Sequence, residues 1–260
     1  MPTIDIPDTT IHFEDAGSGA PLLLLHGGLG TALLHYRREI PFFAGRHRVI
    51  APDMRGYGGS APPRDYPIDF YQRDAADMAA LLDALDARPV HVLGWSDGAI
   101  VALVLAVVRP DLVRSLALWG GEAKLLEVER SIWPVLADAS VWPQRAVERF
   151  IEAQGPLNWP GILDRMVAGY TAVLDGGGEI ISQRLDEIRC PVLIMHGEQD
   201  DVVPVVHAQI LKDAIPQAEV HLFPESGHAL HREQESAMRG LILDFLRRVE
   251  SGETTRVSDG

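Results

Sequence analysis

The chain has 260 residues, 47% of them hydrophobic and 23% charged, which suits one large α/β domain or two small ones. Its 23 Lys and Arg against 37 Asp and Glu give a formal net charge of −14, which argues against nucleic acid and against an anionic membrane surface as partners. One cysteine, Cys190, excludes an intrachain disulfide framework and a thiolate zinc cage.

The first twenty residues hold several Asp and no Lys or Arg, which fits neither a signal nor a transit peptide; the expected compartment is the cytoplasm. Thr10 to Glu14 alternates as a half-buried strand. Leu22–Leu25 is a continuous apolar run ending in His26-Gly27-Gly28, the pattern of a strand covered on both faces. Arg48 to Ala51 is the next strand, followed by a Pro/Gly-rich loop over Arg55 to Pro67. Asp69 to Asp86 is helical, with Met78, Leu81, Leu82 and Leu85 on one side. Val90 to Gly94 is a strand, and Asp97 to Val108 an apolar helix that must be buried. Its ten-residue run, Ala99 to Val108, is the longest in the chain and falls short of the ~20 residues that span a bilayer. Ser115–Trp119, Pro191–His196 and Glu219–Phe223 are further strands, and Pro204–Ile215 and Gln234–Val249 the closing helices. Two strands followed by repeated strand–helix units predict an α/β fold, a mostly parallel twisted sheet with helices on both faces.

Residues 122–186 break the alternation. They show helical pieces around Glu127–Leu136, Gln144–Ala153 and Ile162–Leu174 and no convincing strand. The expected organisation is one core from residues 1–121 and 187–250, an inserted helical cap over 122–186, and a disordered tail over 251–260.

Gly94-Trp95-Ser96-Asp97-Gly98 lies between a strand and a buried helix. A nucleophilic serine on a strained strand-to-helix turn demands that setting, with flanking glycines for close backbone approach. The plain alternative is a glycine-rich turn with a helix-capping serine. Serine needs a base, and the base an orienting carboxylate. His228, just after the last strand, is the expected base; His231, its rival, is expected to start the closing helix or sit on the surface. Asp200, in the loop after PVLIMH, is the expected carboxylate, with Asp201 suited instead to the following helix start. An oxyanion hole needs two backbone N–H groups. Asp97 is expected to give one and Gly28 the other, with Leu29 the second choice. No metal and no cofactor are expected: His228-x-x-His231 lacks a completing Asp/Glu/His cluster, and there is no strand-borne GxGxxG or P-loop.

These motifs, in this order, resemble the α/β-hydrolase fold over roughly residues 10 to 248. Asp53-Met54-Arg55-Gly56-Tyr57-Gly58-Gly59-Ser60, Leu93 to Gly98, Trp119-Gly120, and His196-Gly197-Glu198 with Asp200 and Val203-Pro204 resemble a narrower group, the valacyclovir hydrolase (biphenyl-hydrolase-like) branch. That branch is one of serine hydrolases acting on esters of α-amino acids. The resemblance implies a Ser96–Asp200–His228 triad, an acyl-enzyme mechanism, and a small-molecule ester as partner. It also implies that Asp97 holds the substrate's α-ammonium group, with Trp95 beside it as a substrate-contacting residue. Ala99 departs from the glycine usual after Ser-Asp-Gly, and residues 122–186 match poorly. A lactonase, a carbon–carbon bond hydrolase, a perhydrolase, or a binding protein with little turnover can use the same scaffold. Oligomeric state has no signature in the sequence.

Overall fold

A computed structural model describes residues 2–159 and 161–253. Eight strands form one sheet in the order β1-β2-β4-β3-β5-β6-β7-β8. They are β1 (Thr3–Ile6), β2 (Thr9–Gly17), β3 (Pro21–Leu25), β4 (Arg48–Pro52), β5 (Val90–Trp95), β6 (Val113–Trp119), β7 (Val192–Gly197) and β8 (Glu219–Phe223). β1 and β2 pair antiparallel, β2 meets β4 antiparallel, and every other pairing is parallel. This is the α/β-hydrolase fold. Parallel strands need crossovers, and the helices that make them cover both faces. Two buried apolar clusters follow, one on each side of the sheet.

The helices are α1 (Ala32–Tyr36), α2 (Glu39–Ala44), α3 (Phe70–Ala84), α4 (Asp97–Val108), α5 (Trp133–Leu136), α6 (Gln144–Asn158), α7 (Ile162–Asp175), α8 (Val206–Ala214), α9 (Leu230–Glu233) and α10 (Glu235–Glu250). α4 is buried along its length because it is apolar all round. β1, α1 and α2 go beyond the sequence expectations. β1 is four residues of alternating exposure, and α1 and α2 are five and six residues long, too short for a 3.6-residue period to show.

Between β6 and β7 the described residues form no strand. The expected helix over Glu127–Leu136 divides into a 3₁₀ turn (Glu127–Ser131) and α5, where Pro134 in the first turn lacks the N–H that would continue the preceding hydrogen-bond ladder. α6 runs on past Ala153 as two pieces joined across a kink at Gly155, φ +69°. It is tied to the core by Gln154, whose Nε2 donates to the Leu29 carbonyl at 2.6 Å, and by Asn158, whose Nδ2 donates to the Gly56 carbonyl at 2.5 Å. The loop after β4 is held in turn by two buried ion pairs, Arg55–Asp77 and Arg64–Asp74, each at 2.6 Å. Of the expected tail, Ser251 to Glu253 are exposed and residues 254–260 lie outside the described residues. No helix among the described residues is long and apolar enough to cross a membrane.

Candidate active site

Ser96 is the only residue between β5 and α4, at φ +55° and ψ −124°. That backbone conformation is sparsely populated for any non-glycine residue and persists only where its surroundings enforce it. Gly94 and Gly98 do so. A Cβ on Gly94 would lie 2.5 Å from the Gly98 carbonyl oxygen, and one on Gly98 would collide with the Leu25 carbonyl. Ser96 therefore projects from the carboxyl edge of the sheet over the start of α4, where the helix dipole favours negative charge. The departure at Ala99 is compensated at Gly121, where a Cβ would overlap the Ala99 methyl.

Asp200 and His228 reach the same edge from the loops after β7 and β8. His228 Nδ1–H donates to Asp200 Oδ2 at 2.8 Å. The Asp200 side chain is fully buried and accepts the Val202 and Val203 N–H groups at 2.9 and 2.8 Å, with His196 Nε2 at 3.4 Å. Burial opposes ionisation of Asp200, but hydrogen bonds from His196 and His228 and the nearby amides outweigh it and hold the carboxyl well below its usual range. Ser96 and His228 line one cavity of about 200 Å³ and are not hydrogen-bonded to each other in this arrangement. Such bonds are commonly long before substrate binds. Asp201 is exposed and outside the group.

The Gly27–Gly30 turn after β3 lines the same cavity through Gly27, Gly28 and Leu29. It is fixed from below by His26, which is fully buried. His26 Nδ1–H donates to the Gly27 carbonyl at 2.8 Å, while Nε2 accepts the Met54 N–H at 2.9 Å. Burial lowers the His26 pKa and keeps this neutral form. Among the described residues, no acceptor is hydrogen-bonded to the backbone N–H of Gly28, Leu29 or Asp97. Leu29 has φ +60°, an uncommon conformation for its type. Both Gly28 and Leu29 thus keep an unspent amide at the cavity, which is what an oxyanion hole requires.

Asp97 is 7% exposed and lines the cavity. Its carboxylate accepts the Tyr71 hydroxyl at 2.9 Å and the Tyr170 hydroxyl at 2.9 and 2.7 Å on its two oxygens. Burial raises the Asp97 pKa and the two tyrosines work against that rise. Neither tyrosine is marked by any sequence motif; they come from α3 and α7 and meet Asp97 only in the fold. Trp95 lines the cavity and also donates its indole N–H to the His228 carbonyl at 2.9 Å, so it braces His228.

One sequence expectation needs correction. His231 is neither on the surface nor at the start of the closing helix. It is 2% exposed, in α9, with its ring 4.3 Å from that of Trp95 and Nδ1 accepting the Trp119 indole N–H at 3.3 Å. The four-residue α9 turns Leu230 and His231 inward together, and burial lowers the His231 pKa to about 3, leaving it neutral. Glu122 and Glu129, seven residues apart, converge with the sequence-distant His207 in the interior, and both glutamates line the Ser96 cavity.

A strained strand-to-helix serine, a hydrogen-bonded His–Asp pair and a turn with free amides define an α/β-fold serine hydrolase. Residues 20–150 match the family described as alpha/beta hydrolase fold, and residues 163–246 match the dienelactone hydrolase family. The chain belongs to the α/β-hydrolase fold family. It is 34% identical over 241 residues to the mouse protein described as serine hydrolase BPHL, covering 91% of this chain and 83% of that one. It is 30% identical to a 2-hydroxymuconate semialdehyde hydrolase of Pseudomonas sp. (strain CF600), covering 94% of this chain and 92% of that one. In fold it is similar to a meta-cleavage product hydrolase (CumD) of Pseudomonas fluorescens IP01, with a TM-score of 0.81, 23% identity, and 95% and 98% of the two chains covered.

Proposed function

We propose that the protein cleaves carboxylic esters through an acyl-enzyme, and that its acyl group carries an α-ammonium. Ser96 Oγ attacks the ester carbonyl while His228 takes its proton and Asp200 stabilises the imidazolium that forms. The Asp97 N–H and the amide of Gly28 or Leu29 hold the oxyanion. The tetrahedral intermediate collapses as His228 returns the proton to the leaving alcohol. Water then attacks the acyl-serine by the same route and releases the carboxylic acid. Trp95 holds His228 toward the cavity throughout.

The observation that carries serine-nucleophile hydrolysis is the His228–Asp200 pair at 2.8 Å on the same cavity as the strained Ser96 turn. The Asp97 carboxylate, one residue from the nucleophile and clasped by Tyr71 and Tyr170, supports a cationic acyl group. It also disfavours an anionic acyl chain of the kind a muconate-type carbon–carbon hydrolase would take. Ser96→Ala is expected to abolish turnover of p-nitrophenyl acetate and labelling by a fluorophosphonate. Wild-type-like turnover in the variant would remove Ser96 from the mechanism.

A further inference from the structure

Glu122 and Glu129, which line the Ser96 cavity, belong to a group the ester mechanism does not use. His207, in α8, is wholly buried, and its Nε2 lies 3.1 Å from Glu122 Oε2 and 3.3 Å from Glu129 Oε1. These three are the one set of His, Cys, Asp and Glu among the described residues whose ligand atoms all fall within 4.8 Å of one another. The atoms are close without being hydrogen-bonded: Glu122 Oε2 and both ring nitrogens of His207 are buried and have no hydrogen-bond partner. Side chains that satisfied each other would be aligned donor to acceptor. Their ligand atoms nonetheless lie within 4.8 Å of one another.

We propose that Glu122, Glu129 and His207 bind one divalent cation of the zinc or manganese kind. Ligands about 2.0–2.2 Å from a common ion stand about 3.0–3.5 Å apart at octahedral or tetrahedral angles, which matches the two nitrogen–oxygen separations. One imidazole with two carboxylates is a borderline donor set that accepts zinc or manganese and is too rich in nitrogen for the all-oxygen shell of calcium. The protein prepares the ligands. The second oxygen of Glu129 accepts the Leu126 N–H at 2.5 Å, which fixes the carboxylate and turns its other oxygen to His207. The ion would fasten the segment after β6 onto α8, and with it one wall of the Ser96 cavity. This site is independent of the ester reading.

The test uses the full chain, stripped with a chelator, re-equilibrated with Zn2+ or Mn2+, and freed of loose ions by gel filtration. About one ion per chain is expected to remain by elemental analysis, with a raised Tm. Co2+ in the same place gives visible d–d bands that Zn2+ displaces. His207→Gln and Glu129→Gln are expected to weaken binding at least tenfold. Ser96→Ala and His221→Ala, the latter removing an exposed histidine that could bind ions nonspecifically, are expected to retain the ion. Wild type retaining no more ion than His207→Gln would overturn the site. If that variant does not fold, wild type with no Co2+ bands and no shift in Tm overturns it equally.

Discussion

Replacing Asp97 by asparagine removes one charge and preserves shape, so it separates recognition of an ammonium group from packing. The carboxylate sits at the start of α4, 7% exposed and held by two tyrosine hydroxyls, so solvent screens it little and it needs no reorganisation to meet a cation. A hydrogen bond to a charged partner in such a setting contributes about 1.5–3 kcal/mol. With about 1.4 kcal/mol for each factor of ten in rate, kcat/KM for an α-amino ester falls about 10- to 150-fold. The matched assay compares phenylalanine benzyl ester with 3-phenylpropionate benzyl ester, which differ only in the ammonium group. The second substrate should change less than threefold, because Asp97→Asn leaves the backbone N–H at that position in place. Tyr170→Phe should reproduce part of the selective loss by loosening the carboxylate. Equal losses on both esters would refute the argument and leave Asp97 a complement to the helix dipole.

Two further predictions concern stability. Gly121→Ala forces a methyl against Ala99 and should cost about 1–3 kcal/mol, a fall of about 2–10 °C in Tm by scanning calorimetry. Adding Ala99→Gly should recover much of that loss, and strict additivity of the two changes would contradict direct contact. Asp200 has a folded-state pKa below its unfolded value, so its stabilisation is present above about pH 4 and is lost as pH falls through the depressed folded value. Urea unfolding should therefore show wild type more stable than Asp200→Asn at pH 7, with the gap narrowing below about pH 4. A constant gap from pH 7 to pH 3 would contradict the linkage.

Much of the architecture was legible because it is written locally. β5, the Ser96 turn and α4 are contiguous, and their demands on Gly94 and Gly98 are steric facts about adjacent residues. The loops carrying Asp200 and His228 follow recognisable apolar strands, and parallel pairing sends the ends of such strands to one edge. What was illegible depends on elements that meet only in three dimensions. His231 looks like a surface residue because a four-residue helix has no periodicity to announce its buried side. Tyr71 and Tyr170 are ordinary aromatic residues of two helices until both converge on Asp97. Glu122 and Glu129 lie seven residues apart just after β6, but His207 is in α8, beyond β7, so no spacing rule could join all three.

The clasp on Asp97 also explains how specificity can vary while the reaction is kept. Tyr71 belongs to α3, packed on the sheet, whereas Tyr170 belongs to α7 in the segment between β6 and β7. Asp97 itself is fixed by its place in the Ser96 turn. A change in residues 122–186 that displaces α7 therefore releases one of the carboxylate's two anchors without touching Ser96, His228 or Asp200. Gln154 makes a parallel link, from α6 to the carbonyl of Leu29 beside the free amides. The helices between β6 and β7 thus reach both the group proposed to read the acyl chain and the turn proposed to hold the oxyanion. Substitutions that displace α7 should lower kcat/KM for amino esters more than for simple esters, whereas loss of the Gln154 link should slow both.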